Sequence, residues 1–199
     1  MMSRLSRRLL VIAGLLLAAS LRLPLWRIGL TAPQYPEGLG LRIGAGTIAG
    51  ATPQDLDNIN ELNHYIGMRP IDAGALPELR VLPWILLALA VWAIAAAALG
   101  NRRVVYVWLG ALLLVGAAGL ADLYRWSYTY GHDLDAEHAI IKIPGMAYQP
   151  PLIGTKQLLN FTASSWPASG TWLAVAALFA GIAALVVSRR TMSARASAA

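Results

Sequence analysis

The stretch Gln54-Asp55-Leu56-Asp57-Asn58-Ile59-Asn60-Glu61-Leu62-Asn63-His64-Tyr65-Ile66-Gly67-Met68 lies between membrane-like sequence on both sides and decides how both are read. It opens as a helix: Thr52 is a candidate N-cap, Pro53 suits the first helical position, and Asp55 falls in the acid-favouring first turn. Leu56, Ile59, Leu62 and Ile66 recur at helical spacing and form one apolar stripe. At 100° per residue, Asp57, Glu61, His64 and Met68 fall within an arc of roughly 60° on the opposite side. Gly67 and Pro70 end the helix. A stripe of this kind needs a core to cover it. The rest of the chain reads as a device for holding this helix against the outside of a membrane.

Working outward, the surroundings are too apolar for a soluble domain: 57% of the 199 residues are hydrophobic and the mean hydropathy is +0.56. Leu5–Trp26, Val81–Leu99, Val104–Ala121 and Thr171–Ser188 are each long enough to cross a hydrocarbon core of ~30 Å. The net charge of +6 is segregated. Arg4, Arg7 and Arg8 precede the first span, Arg102 and Arg103 fill the short loop, and Arg189, Arg190 and Arg195 follow the last. All ten acidic residues lie away from these clusters. This is the positive-inside pattern of a multi-pass membrane protein, with both termini cytoplasmic and the soluble part on the outer side. It leaves no support for a nucleic-acid partner; the lipid bilayer is the partner that composition implies.

The expected fold is therefore a membrane protein, mainly α, with four transmembrane helices and a small α+β extracytoplasmic domain formed from two outer segments. The boundaries are 1–26 for an N-terminal membrane helix, read as an uncleaved anchor, and 27–80 for the first outer segment. A transmembrane hairpin follows at 81–122, then the second outer segment at 123–170, a fourth membrane helix at 171–188 and a cytoplasmic tail at 189–199. In the first outer segment Ile28–Leu30, Leu39–Ile43 and Thr47–Ala49 read as short strands, with Tyr35-Pro36-Glu37-Gly38 as a turn. In the second, Ala139–Ile143 reads as a strand and Lys156–Asn160 as a short amphipathic helix on the membrane. Trp26 suits the aromatic belt, and Gly110, Gly116 and Gly119 suit close helix packing in lipid. Tyr124–Tyr130 reads as a second belt or as a protein interface. Neither Val81–Leu99 nor Val104–Ala121 carries an ionisable residue at mid-depth, which argues against an ion channel.

The chemistry-bearing side chains lie in the outer segments. The chain has no cysteine, so any metal must be held by His, Met, carboxylate, amide or backbone oxygen. All three histidines, His64, His132 and His138, are outside the spans, as are Met68 and Met146. His64 and Met68, four apart, are expected on one helical face and able to share an ion. His132 and His138 are the further donors, with Met146, Asp57 and Glu61 as additional candidates. A mixed His/Met set without thiolate favours copper over zinc, and thioether favours Cu(I). The bland alternative is a solvated polar face and turn. No nucleophile elbow or phosphate loop is present, so the chain does not read as an enzyme.

Several strings carry a resemblance: Tyr35-Pro36-Glu37-Gly38-Leu39, Asn60-Glu61-Leu62-Asn63-His64-Tyr65-Ile66-Gly67-Met68, Tyr130-Gly131-His132, Pro150-Pro151-Leu152 and Lys156-Gln157-Leu158-Leu159-Asn160-Phe161. With them the chain resembles a family of small bacterial membrane proteins associated with nitrous oxide reductase accessory genes and NosL-type copper chaperones. The resemblance implies copper handling, or maturation of a periplasmic copper enzyme such as nitrous oxide reductase. A periplasmic copper protein or copper chaperone would then be the partner. The alternative is a structural membrane subunit or docking scaffold whose His and Met residues are incidental.

Overall fold

The computed structural model describes residues 2–135, 137–143 and 145–196, with side chains described as far as residue 190. In chain order the elements are α1 (Arg4–Ser20), β1 (Trp26–Ala32), β2 (Tyr35–Ile43), β3 (Ile48–Gly50), α2 (Asp55–Tyr65), a 3-10 turn (Ala73–Ala75), α3 (Glu78–Leu99), α4 (Arg102–His132), β4 (Gly154–Leu158), β5 (Phe161–Pro167) and α5 (Ser169–Ala196).

Among the described residues three helices, not the expected four, are long and apolar enough to cross a membrane: α3, α4 and the Ser169–Arg190 part of α5. α1 has 17 residues. At 1.5 Å per residue it is about 25 Å long, short of a ~30 Å hydrocarbon core. Leu21–Trp26, expected to complete that span, leave the helix instead. Pro24 has no N–H to donate and disfavours helix in the residue before it. The Leu25 N–H then bonds the Ile43 carbonyl at 2.7 Å, and Trp26 opens β1. The fold of four spanning helices with a small domain is thus replaced by five helices, three of spanning length, and a five-stranded antiparallel sheet.

α1 packs on α3 and α5 through Leu10, Ala13 and Leu17, all fully buried. At Gly14 the approach is so close that a Cβ would stand 2.7 Å from the Ala90 carbonyl of α3. Trp108 of α4 is buried with its Nε1 donating to the Leu89 carbonyl at 2.8 Å, and Gly181 of α5 leaves room for its ring. The expected packing glycines of α4 do not serve that purpose: a Cβ at Gly110, Gly116 or Gly119 would meet nothing within 4 Å. The arginine-bearing ends gather at one end of this layer. Met2 N–H bonds the Gly100 carbonyl, Arg102 bonds the Ser188 carbonyl at 2.7 Å, and Arg189 meets the Tyr106 hydroxyl.

The sheet lies at the opposite end, in the order β3-β2-β1-β5-β4. Its central pairing, β1 with β5, joins segments far apart in sequence, with Ile28 opposite Ser165 and Trp26 opposite Pro167. Leu39, Leu41 and Ile48 are buried on the face that α2 covers with Leu56, Ile59 and Leu62, so these three of the four stripe residues have their core, while Ile66 lies past the end of the helix. α4 runs unbroken for 31 residues, about 46 Å at 1.5 Å per residue. That exceeds a ~30 Å hydrocarbon core, and its last turns place Trp126 and Tyr130 against the same core.

Five local expectations are corrected. Tyr35–Gly38 lies inside β2, and the turn is Pro33-Gln34. Ala139–Ile143 forms no strand. Its neighbour Pro144, like Ala136, lies outside the described residues. Lys156–Asn160 is not a helix: Leu158 pairs with Phe161 across a two-residue loop, Leu159-Asn160, and the alternation around it is that of a hairpin. Trp26 is buried rather than in a belt, its Nε1 donating to Ser165 Oγ at 2.7 Å. α5 continues helical to Ala196, into the stretch read as a tail, whose residues 197–199 lie outside those described.

Candidate functional site

α2 begins and ends with closed hydrogen-bond circuits. At its start the Thr52 hydroxyl donates to Asp55, and the Asp55 carboxylate also accepts the backbone N–H groups of Thr52 (3.2 Å) and Gly40 (2.8 Å). The helix itself starts at Asp55 with Gln54 as its N-cap and no side-chain cap bond, so Thr52 and Pro53 do not hold the cap and first-helical positions expected of them. The Thr52 hydroxyl and these N–H donors hold the Asp55 carboxyl below its ordinary pKa, against the opposing effect of burial. At its end Gly67 takes φ 74°, Gly67 N–H bonds the His64 carbonyl, and Met68 N–H bonds the Asn63 carbonyl at 2.8 Å. This is a Schellman closure with Gly67 in the left-handed position.

That closure overturns the shared helical face of His64 and Met68. The helix stops at Tyr65, and Met68 comes after the reversal. Met68 lies half-buried on the wall of a partly open cavity, whereas His64 is exposed and does not line it. The four-residue spacing holds only while the helix lasts.

The two histidine-bearing segments do meet. The Asp135 N–H bonds the Gly67 carbonyl at 2.8 Å, the Ile141 N–H bonds the Tyr65 carbonyl at 2.9 Å, and Arg69 pairs with Asp133. His138 Nδ1 lies 2.8 Å from Asp135 Oδ2, and His132 Nδ1 lies 2.9 Å from the Tyr128 carbonyl. The His132 ring also stacks on Tyr128, with centroids 4.0 Å apart. The His138 backbone N–H first, then its ring, hold the Asp135 carboxyl below its ordinary pKa. Asp57 and Glu61 are exposed on α2, and Met146 is half-buried in the loop before β4. Among the described residues no three His, Asp or Glu side chains converge as a metal group. The donors form an open surface rather than a closed coordination shell.

Beside this surface is a cavity of about 660 Å³, walled by the sheet, α2, the end of α4 and the hairpin tip. Strings distant in sequence meet there: Tyr35, Asn63, Met68, Tyr130, Pro150 and Leu159 all line it. Three buried side-chain atoms among the described residues lack a hydrogen-bond partner, namely Asn63 Nδ2, Trp126 Nε1 and Tyr148 Oη. All three residues line this cavity. Burial raises the pKa of the Tyr148 hydroxyl, which therefore stays protonated at neutral pH.

Sequence reasoning read Asp55 only as a first-turn acid and Trp126 only as part of an aromatic belt or interface, and gave none of these three residues, nor Asp55, a buried role. A signal existed for two of them. Asp55 and Asn63 fall four before Ile59 and four after it, on the apolar stripe of α2, where a polar residue is out of place unless it is bonded or functional. Both are buried. Tyr148 sits in irregular chain and offered no periodicity from which to read its burial.

Comparison with protein-family models and with curated proteins finds no match to this chain.

Proposed function

We propose that this chain is a membrane-anchored accessory protein that handles copper as cargo on the outer face of a bacterial cytoplasmic membrane. In this reading it passes the ion to a periplasmic copper protein or copper chaperone. The observation that carries it is the junction of α2 with the 132–141 segment. Backbone bonds at Gly67 and Tyr65 clamp the two segments together, and acceptors on Nδ1 fix the rings of His132 and His138. An acceptor on one ring nitrogen orients the other for a metal, as in carboxylate–histidine–metal sites.

The orientation is part of this proposal. Arg102, Arg103 and Arg189 lie at the end of the helical layer away from the sheet, so the positive-inside rule puts that end in the cytoplasm. The experiment is a copper measurement on the full chain in detergent after loading with Cu(I) or Cu(II). His64→Ala is expected to lower bound copper far more than Asn58→Ala. Equal copper in wild type and in a His64→Ala, His132→Ala double variant would end the copper reading. A docking scaffold would then be favoured by the half-exposed Tyr124 and Tyr128 on the projecting part of α4.

A further inference from the structure

We infer that the cavity between the sheet, α2 and the end of α4 is a binding site for a neutral apolar molecule carrying a carbonyl-type acceptor oxygen. Its volume, about 660 Å³, falls in the range of ~300–1,000 Å³ typical of small-molecule sites. The walls are aliphatic and aromatic: Ile28, Leu30, Leu41, Ile59, Leu62 and Phe161. The polar features are the unpartnered atoms. Asn63 is 7% exposed and Tyr148 4%, and Asn63 Nδ2, Tyr148 Oη and Trp126 Nε1 are buried without a partner.

A buried donor left unpaired is costly, and native structures keep few of them. Three around one cavity describe a complement rather than a set of accidents. All three can donate, so the ligand supplies acceptors. Among the described residues no Lys, Arg or His lines the cavity, and Glu61 is its single carboxylate. A carboxylate or phosphate ligand would therefore have no counter-charge and would face Glu61, which leaves a neutral oxygen on an apolar body.

The donors are held in place by the fold. Tyr148 N–H bonds the Gly131 carbonyl at 2.9 Å, and Gly131 lies so close to the returning chain that a Cβ would stand 2.4 Å from Gln149 N. The Tyr148 ring stacks near Phe161, with centroids 6.2 Å apart. Trp126 packs on Tyr130 at 4.8 Å, and Tyr130 donates to the Pro70 carbonyl at 3.3 Å. Trp126 and Tyr130 also wall a second, more open space of about 940 Å³ between α3, α4 and α5. The two rings are therefore a wall shared by the cavity and the space facing the helical layer. Two sources share this chemistry, a quinone headgroup and the ester carbonyl of a glycerolipid.

The test uses the full chain in detergent, with decylubiquinone and monoolein as probes and hexadecane as the acceptor-free control. At least one probe is expected to bind saturably, one molecule per chain, and to raise Tm, with hexadecane well below it. Tighter binding of the quinone assigns a redox carrier as the source, and tighter binding of the ester assigns bilayer lipid. Tyr148→Phe removes only the unpaired hydroxyl. It is expected to weaken binding roughly five- to tenfold, the loss of one hydrogen bond, while leaving the ligand-free Tm unchanged or higher. A merely structural tyrosine would lower that Tm. Asn63→Leu should act in the same direction, and the isosteric Tyr148→Phe variant decides the matter if Asn63→Leu fails to fold. Failure of both probes to saturate, a match by hexadecane, or unchanged affinity in Tyr148→Phe would each overturn the inference. Copper binding at His64 and His132 is measured separately, so either proposal can fail without the other.

Discussion

Asp55 shows how much of this fold rests on single polar side chains in apolar company. Its carboxylate gathers the Thr52 hydroxyl and the N–H groups of Thr52 and Gly40, joining the start of α2 to β2. Asp55→Ala would leave two backbone donors unpaired, and one unsatisfied buried donor typically costs about 1–3 kcal/mol. The variant is therefore expected to lose protease resistance in the sheet unit while the chain still enters the membrane. The same circuit sets an acid limit. The folded-state pKa of Asp55 lies below its ordinary value of 3.8. Its contribution is complete above that value and fades as pH falls through the lower folded one. Thermal unfolding of wild type should lose stability in that acid window, and Asp55→Asn should flatten that part of the profile. An unchanged profile in Asp55→Asn would show that other carboxylates govern it. Asn60 has a comparable structural role, pairing with both the N–H and the carbonyl of Ile71. Neither residue belongs to the chemistry, although both sit within the stretch that looked most functional.

At the scale of elements, Gly67 decides whether the two histidine-bearing segments stay together. Its φ of 74° penalises any other residue, and a Cβ there would stand 2.6 Å from the Asp135 carbonyl and 3.0 Å from Ala139 Cβ. Gly145 supplies a matched control, with φ 75° and nothing within 4 Å of a Cβ. Each Ala variant pays the left-handed penalty of about 1–2 kcal/mol. Only Gly67→Ala should also separate α2 from the 132–141 segment, reducing copper retention with every candidate ligand intact. Equal copper in the two variants would show that the junction does not shape the site. The sequence made α2 and its stripe legible because Leu56, Ile59 and Leu62 repeat with a clear period. The hairpin β4–β5 was not legible. Its loop is Leu159-Asn160, with Leu159 at φ 58° where glycine or asparagine would advertise a turn. Lys156-Gln157-Leu158-Leu159 also carries good helix formers, and tertiary pairing with β1 through β5 overrode them. The orphaned donors were hidden for a different reason: burial of Tyr148 is a property of the packed chain and has no local signature.

Across the whole molecule, the sheet and the helical layer are locked end to end. The Leu25 carbonyl accepts the Ala168 N–H at 2.9 Å, and the Pro24 carbonyl accepts the Gly170 N–H at 2.9 Å. The entry to β1 and the exit from β5 are thus bound to each other where α1 ends and α5 begins. A Cβ at Gly170 would stand 2.9 Å from both the Leu23 and the Pro24 carbonyls, so the junction leaves little room for the two parts to pivot. One rigid polarity follows: whichever side holds the arginine-bearing end, the sheet holds the other. The absence of cysteine makes this polarity directly measurable, because a single introduced thiol is the only one to label. Asn160, exposed at the β4–β5 tip, and Arg103, exposed beside the α3–α4 loop, report the two ends. Positive residues resist translocation, so Arg103 should remain in the cytoplasm. In intact cells stripped of their outer membrane, an impermeant maleimide should label Asn160→Cys at once and Arg103→Cys only after lysis. The reverse pattern would place the histidines and the cavity in the cytoplasm, where the proposed delivery to a periplasmic copper protein has no access to its partner.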